Sequence, residues 1–595
     1  MFGRAKLLFI LSALTACSTL PATAQTATRP TLSYSTFLSA SGRTTINASV
    51  IDAKGYQYVM GYTEATDFPT TSGAYSRTPT KDSYSDTGYR TMFITKFNRT
   101  GTALVYSTFI ANAQPAGIAV DSSGNAYVVA TPNPPYSFSF PTTAGSWRPS
   151  CVSSTQCSFL LKLNSTGSGL VYSTSLIDKD CGVYFNAVAL DSTDHAYVAG
   201  IGGPGCYTTD NAYKRMLTSG SNMMVMKLTA NGSGVLYSTY LGGNTDTQND
   251  WPRAIAVDSL NHAAITGSTS STDFPTTAGA FQRTQQGGIL DAFIAKLNGD
   301  GSKLLASTLL GGSGSESASG IAIDPDNQVY VAGTTDSKNF PVTSGAVQTS
   351  PDTTTCGYEE GVPEICNDAF AAKLPPDLSK LVYSTYLGGP NGNEASIHIG
   401  VDAVGHAYVA GSSNSSQVPL VKPTNTTGLM WLSVLNTRGS AFQFSTRYGP
   451  TATSTGNSIT PVDIGVDRAG NAYVAGSVNG YVQTTPGAYQ TNGGDSFAAK
   501  WDIPPCTLSS TNRTVTICTP ANNTTVPSKM LVAAGATDSV NVSAMRIYID
   551  GASVFTISAP HFNTYVTLTS GTHRMTITAW DSAGPFSKTI YVTAP

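Results

Sequence analysis

The feature that most constrains this chain is an eleven-residue run, VDRAGNAYVAG at Val466, that occurs seven times. It also stands as IDAKGYQYVMG at Ile51, VDSSGNAYVVA at Val120, LDSTDHAYVAG at Leu190, VDSLNHAAITG at Val257, IDPDNQVYVAG at Ile323 and VDAVGHAYVAG at Val401, at intervals of 65 to 78 residues. Each copy reads as a hairpin: an apolar residue, a turn opened by Asp, then a strand ended by Gly or a small residue. Recurrence at a near-fixed period overrides a domain count taken from length, because each copy is one supersecondary unit that must stack on its neighbours to bury its faces.

Two further strands recur in the same order. One is MFITKFN at Met92, SFLLKLN at Ser158, MVMKL at Met224, AFIAKLN at Ala292, AFAAKL at Ala369 and SFAAKW at Ser496, degenerate at Trp431. The other is LSYSTFL at Leu32, LVYSTFI at Leu104, LVYSTSL at Leu170, VLYSTYL at Val235, LLASTLL at Leu304, LVYSTYL at Leu381 and FQFSTRY at Phe442. Turns such as Asn298-Gly299-Asp300-Gly301 join the two as a second hairpin. With an inner strand before the VDxxGN turn, each period holds four antiparallel strands, the content of a propeller blade. The first YST strand precedes any inner strand, and the last unit lacks one. The expected fold is therefore all-β: a seven-bladed β-propeller over residues 32–502, closed where Leu32–Leu38 pairs with Ser496–Trp501 so that no sheet edge is left open.

The pattern YSTYLGG, IAVDxxGNAYVAG, DFPTT and DAFxAKLN resembles the SBBP family of bacterial propeller repeats, and more distantly NHL-type propellers. The sixth unit departs from it, with Val418-Pro419-Leu420 in place of FPTT and no Lys in its third strand. The resemblance implies a propeller and export, and implies no defined activity. Residues 506–595 have another grammar: about seven short strands, a tight-turn signal at Asp550-Gly551, and the motifs YIDG and SGTHRMTITAWDSAG, which resemble bacterial Ig-like modules. Pro504-Pro505 reads as a stiff joint.

Residues 1–24 read as a signal peptide, with basic Arg4 and Lys6 before an apolar Leu7–Ala16. Two processing sites compete: Ala22-Thr23-Ala24 before Gln25, and a lipobox that would place lipid on Cys17. The expected location is exported, either secreted or at the outer cell surface, with the periplasm as an alternative. Setting Cys17 aside leaves eight cysteines, which an exported chain uses as disulfides. Sequential pairing gives Cys151–Cys157, Cys181–Cys206, Cys356–Cys366 and Cys506–Cys518. No CxxC or Cys/His cluster points to a metal, and no cofactor is expected. A net charge of −3 with only 12% charged residues leaves no basic footprint for nucleic acid or an anionic membrane. No stretch after the signal has the length of a membrane helix. A monomer is expected.

The seven turn aspartates, Asp52, Asp121, Asp191, Asp258, Asp324, Asp402 and Asp467, are expected to cap their own turns, since whole-blade spacing holds them too far apart for paired acid/base chemistry. His195, His262 and His406 occupy the Asn position of that turn. No GxSxG, HExxH or phosphate-binding loop is present. A ligand site is expected where the longer loops gather, because long loops carry function more often than short turns. The residues named for it are Asp180, Tyr184, Asp246, Asp250, Trp251, Arg253, Glu316 and Glu394. The functional expectation is a non-enzymatic binding, adhesion or scaffolding protein with a polysaccharide or surface protein as partner. The alternative is an extracellular polysaccharide hydrolase or lyase with acids at the central channel, since one fold hosts both.

Overall fold

The VDxxGN run folds as it does because its aspartate supplies the acceptors the turn lacks. In every copy Oδ1 accepts two backbone N–H groups, from the residues two and four further on: Asp52 takes Lys54 and Tyr56, and Asp467 takes Ala469 and Asn471. The computed structural model describes residues 30–595 apart from 83, 84, 86, 134–139, 151–156, 178–180, 245–249, 353, 354, 360, 361 and 452–455. The signal segment, Cys17, Cys151, Asp180 and Asp246 lie outside the described residues.

The described residues form an all-β chain with no helix. Before residue 503 there are seven four-stranded antiparallel sheets, numbered here I to VII in the order of their inner strands: Thr44–Ile51, Ala113–Val120, Val183–Leu190, Asp250–Val257, Glu316–Ile323, Glu394–Val401 and Ser458–Val466. Sheet IV is typical, running Asp250–Val257, Ala263–Thr269, Asp291–Leu297, Leu304–Leu310 in spatial order. Each inner strand packs beside the next, and that of sheet VII packs beside that of sheet I. In sheet VII the outermost strand is Thr31–Phe37, antiparallel to Ser496–Asp502, with Leu32 opposite Trp501 and Phe37 opposite Phe497. A two-stranded hairpin, Thr355–Glu359 with Val362–Ile365, is inserted in sheet V.

Because both faces of each sheet meet a neighbour, the middle strands are buried throughout: Asp291–Leu297 is buried at every position, its charged Asp291 and Lys296 included. The sheets are locked by matched pairs. In sheet IV, Gly301 has a φ of 68°, and a Cβ there would come within 2.3 Å of the Tyr237 ring of sheet III. The equivalent ring in sheet IV is missing, since Ala306 replaces the Tyr. There the facing turn position in sheet V is Leu378, which fills the space fully buried at a φ of 55°.

The turn aspartates also tie sheets together. In sheets I to V their Oδ2 faces the Lys of the third strand, at 3.0 Å for Lys162–Asp121 and 2.7 Å for Lys296–Asp258, whereas Lys500 of sheet VII pairs with Asp502. Burial pushes the Asp121 and Asp258 carboxyls up, but bonds from the Asn125 side chain and backbone and from Lys162 outweigh it at Asp121, and bonds from Lys296 and the His262 backbone outweigh it at Asp258, holding both below the usual range. The Tyr58 hydroxyl shares its one hydrogen between Asp52 Oδ2 and Gly124 O of sheet II, and Tyr330 does the same between Asp324 Oδ2 and Gly405 O of sheet VI. His195, His262 and His406 each place Nδ1 2.8–3.1 Å from Oδ2 of their own turn aspartate. Sheet VI has Val434 where the Lys stands elsewhere, and Asp402 relies on His406.

Residues 514–594 form a second unit, a three-stranded sheet (Thr514–Thr519, Lys529–Thr537, His561–Thr567) facing a five-stranded one that includes Gly571–Asp581 and Gly584–Ala594. Their core is built on Val532, Phe562, Met575 and Ile577. Asp550 and Gly551 both take positive φ, as a two-residue hairpin turn requires. This unit rests on the VDxxGN face of the sheets: Arg99 Nη2 donates to Ser558 O at 2.7 Å, Lys529 pairs with Asp326, and His561 Nδ1 lies 3.1 Å from Ala469 O. Cys181–Cys206, Cys356–Cys366 and Cys506–Cys518 are disulfides, as the sequential pairing predicts. Cys157 is also disulfide-bonded, while its expected partner Cys151 lies outside the described residues.

Candidate functional site

Every inner strand carries a register shift at the same level: between Ile46 and Ala48, Pro115 and Gly117, Phe185 and Ala187, Pro252 and Ala254, Ala318 and Gly320, Ala395 and His398, and Pro461 and Asp463. Six leave a single residue unpaired, and in sheet VI two residues, Ser396 and Ile397, stand opposite Gly411 alone, so each shift inserts one extra residue. A bulged residue has no partner across the pair and is re-aimed by it. These bulges line a central cavity of about 300 Å³, bordered by all seven inner strands. Asn47, Ala116, Asn186, Arg253, Ser319 and Val462 are the single bulged residues and all border it.

The residue after each bulge forms a second ring. It is Ala48, Gly117, Ala187, Ala254 and Gly320 in sheets I to V, and His398 and Asp463 in the adjacent sheets VI and VII. Burial pushes His398 down to about 4 and Asp463 up to about 6, so His398 is neutral near pH 7, while Asp463 keeps its charge there and loses it as the pH falls through about 6. Asp463 is the one carboxylate among the residues that line the cavity. Asn186 Nδ2 donates to Pro252 O at 2.8 Å, while its Oδ1 and that of Asn47 are buried without a partner.

Two residues earlier than the bulge in sheets III and IV stand Tyr184 and Trp251, 38% and 42% exposed. They sit near the end of the inner strands opposite the VDxxGN turns, the end onto which the longer loops open. Arg253 lies with its guanidinium 5.7 Å from the Trp251 ring centre. Among the described residues no carboxylate pairs with it.

The other acids named for this site behave differently. Asp250, Glu316 and Glu394 open their inner strands with their side chains turned into the sheet, at most 2% exposed. Asp250 accepts from Thr269 Oγ1 and Gly243 N, Glu316 from Thr335 Oγ1 and Gly312 N, and Glu394 from Ser413 Oγ. They hold loop ends in place and do not form a solvated rim. The reason is strand alternation: with Trp251 outward, its neighbour Asp250 must face inward. Asp180 and Asp246 lie outside the described residues.

Acids do meet between sheets, but in the interior. A Cβ on Gly311 would lie 2.5 Å from Glu316 Oε2 and 2.7 Å from Asp291 Oδ1. The same place at Gly388 is flanked by Glu394 Oε2 at 2.8 Å and Asp368 Oδ1 at 3.1 Å. Burial, and then the charge of Glu316, pushes Asp291 up to about 7. Burial pushes Asp368 up to about 7 and Glu394, which also faces Asp368, up to about 8. Among the described residues no group of three or more His, Cys, Asp or Glu is placed to hold a metal.

The channel residues Asn47, Asn186, Ser319, His398 and Asp463 were not singled out by sequence reasoning. For His398 and Asp463 the signal is weak but present: aligning the inner strands on the VDxxGN turn shows one position that is small in five copies and His or Asp in two, whereas Asn47, Asn186 and Ser319 stand one position earlier, where no residue type is common to the copies.

The profile of the family described as beta-propeller repeat (SBBP) matches residues 307–341 and 443–481, and that described as bacterial Ig domain (Big_7) matches residues 514–577. The chain carries SBBP propeller repeats and a bacterial Ig domain. No curated protein matches it. Among solved structures it is similar to a protein of unknown function from Dyadobacter fermentans, at 9% identity over 80% of this chain and 99% of that one, with a TM-score of 0.35. It is also similar to uncomplexed acylaminoacyl peptidase from Pyrococcus horikoshii, at 7% identity over 83% and 62%, with a TM-score of 0.36. An engineered protein is 25% identical over 14% of this chain and a fifth of its own length, with a TM-score of 0.13. At these scores none of the three bears on chemistry. No helix among the described residues is long and apolar enough to cross a membrane.

Proposed function

We propose that residues 32–502 form a seven-bladed propeller, closed by the N-terminal strand, in an exported chain that binds an extracellular ligand without transforming it. The seven sheets, the pairing of Thr31–Phe37 with Ser496–Asp502, and the contact between the first and last inner strands support the closed ring. Three disulfides and the Ig domain favour an extracellular location. The Ig-like module over 506–595 occupies the VDxxGN face, which leaves the opposite face for the partner.

The observation that carries the reading is the exposed pair Trp251 and Tyr184 on neighbouring strands, beside Arg253 at the mouth of the channel. Flat aromatic faces next to a guanidinium that no carboxylate pairs with among the described residues suit a saccharide, whose ring faces are apolar and whose edges carry hydroxyls. A hydrolase of the common kind needs two carboxylates flanking one bond. Asp463 is a single acid in the channel, and the acids that do meet across sheets are buried away from any polymer.

The test is a glycan and polysaccharide binding screen on the mature chain, with product release followed in the same wells. Binding without product, weakened at least tenfold by Trp251→Ala, is the expected result. Product release would place the protein among enzymes and overturn the reading. A screen with neither outcome would move the partner from saccharide to protein.

A further inference from the structure

The interior acid pairs have a counterpart within the same molecule. At the junction between sheets III and IV, the place of Asp291 is taken by Asn222 and that of Glu316 by Asp250. A Cβ on Gly242 would lie 2.1 Å from Asn222 Oδ1 and 2.2 Å from Asp250 Oδ2. There the chain provides its own cation. Lys214 Nζ donates to Gly242 O at 3.1 Å and Gly243 O at 2.6 Å, and its charge acts on Asp250. One carboxylate is thus matched by one ammonium.

The next two junctions carry two carboxylates each and no lysine in the place of Lys214; at the second, the buried Arg447 guanidinium acts on Glu394 but spends its hydrogen bonds on Gly428 O and Ser415 O. Lys214 is anchored by its own N–H on Thr239 Oγ1 at 3.0 Å. At the equivalent positions Gln282 bonds Thr308 Oγ1 at 2.9 Å and Gln348 bonds Thr385 Oγ1 at 3.0 Å. Both are neutral. Asp291 Oδ1 and Asp368 Oδ1 are left without any hydrogen-bond partner in residues at most 1% exposed, and both oxygens face the opposing glutamate across the glycine. A buried carboxylate is tolerated when it is paired or binds a cation, and two that face each other with a free oxygen lack both.

We propose that each of these two junctions, Asp291/Glu316 and Asp368/Glu394, binds one hard divalent cation of calcium type in the place that Lys214 fills at the preceding junction. Two carboxylates neutralise one such ion, and the Leu-Gly-Gly segments that present carbonyls to Lys214 recur at both sites as Leu310-Gly311-Gly312 and Leu387-Gly388-Gly389. The ions would fasten sheet IV to V and sheet V to VI at the end of the molecule where the longer loops open, next to the proposed ligand face but independent of what binds there.

The test is calcium binding to the chelator-stripped mature chain at pH 7.5, by titration calorimetry, with thermal unfolding in calcium chloride against EDTA. Two calcium ions per chain and a higher unfolding temperature in calcium are expected. Gln282→Lys installs the Lys214 arrangement beside Asp291. It should lower the stoichiometry to one and raise the unfolding temperature in EDTA. Asp368→Asn should weaken the other site at least tenfold. Absence of calcium binding by the unaltered chain would overturn the proposal and leave each pair to share a proton. Calcium binding that Gln282→Lys and Asp368→Asn both leave at two would also overturn it.

Discussion

Removal of the strand Thr31–Phe37 tests the closure of the ring most directly. The strand makes six paired positions with Ser496–Asp502 and seals Tyr34, Phe37 and Leu38, each at most 1% exposed, against sheets I and VII. Burying a side chain of this size is worth about 2 kcal/mol, so the three account for about 6 kcal/mol. Uncovering the edge of Ser496–Asp502 and the ring of Trp501 adds to that. Stabilities of folded domains run from about 5 to 15 kcal/mol, so the loss removes half of the total or more. The comparison is between chains beginning at Pro30 and at Ala40, each unfolded in urea and followed by tryptophan fluorescence. Trp501 is fully buried and stands opposite Leu32, so it reports on this junction. The shorter chain should unfold at a much lower midpoint or in more than one step, and a peptide spanning Thr31–Ser39 should restore part of the difference. An unchanged midpoint and slope would mean that the last sheet is complete without this strand, and the closure argument would fail.

Lys296→Met strips the buried Asp258 of its ammonium and should cost about 3–5 kcal/mol in urea unfolding, whereas Val434→Lys in sheet VI should cost far less; equal effects would show that the Lys–Asp contacts are incidental. Asp463→Asn should stabilise the chain by about 3 kcal/mol at pH 8 and by little at pH 4. The sign follows from burial: the folded carboxyl is raised to about 6, so its stability is fully present below about pH 4, the unfolded value, and is lost as pH rises through 6. His398 is lowered to about 4, so its contribution is present above about pH 6.5 and lost as pH falls through 4; His398→Gln should therefore flatten the acid limb of the stability curve. A chain ending at Asp502 should keep one cooperative transition, because its contacts with the second unit are a few polar bonds such as Arg99–Ser558 and His561–Ala469.

The strand content and the role of the turn aspartates were legible because both rest on local chemistry. A strand shows its period of two or its apolar run, and an Asp two residues before a free N–H has one obvious partner. The near-neighbour cysteines were legible for the same reason, with Cys181–Cys206 the longest reach among the described pairs. What the sequence hid depends on which way a side chain turns. Asp250 and Trp251 are adjacent, yet one is sealed inside and the other stands in solvent, and only the register of the pair decides which. The bulge then breaks the alternation two residues later, so Arg253 and Ala254 both border the channel. A period-two reading carried through the bulge assigns every later residue to the wrong face. The matched loss of Tyr at Ala306 and of Gly at Leu378 was equally hidden, because the two lie in different repeats and meet only when the sheets stack.

The bulge has an evolutionary consequence. A residue that pairs with nothing across its strand can change without disturbing the packing between sheets. Each repeat therefore offers one position where substitution is nearly free of folding cost, and the seven positions converge on one small space. Asn47, Ala116, Asn186, Arg253, Ser319 and Val462 differ in size, charge and polarity although the strands around them are close copies. Duplicating a repeat and then varying that single residue gives a lineage a way to explore new bore chemistries on a constant frame, much as a keyway is recut without altering the lock body.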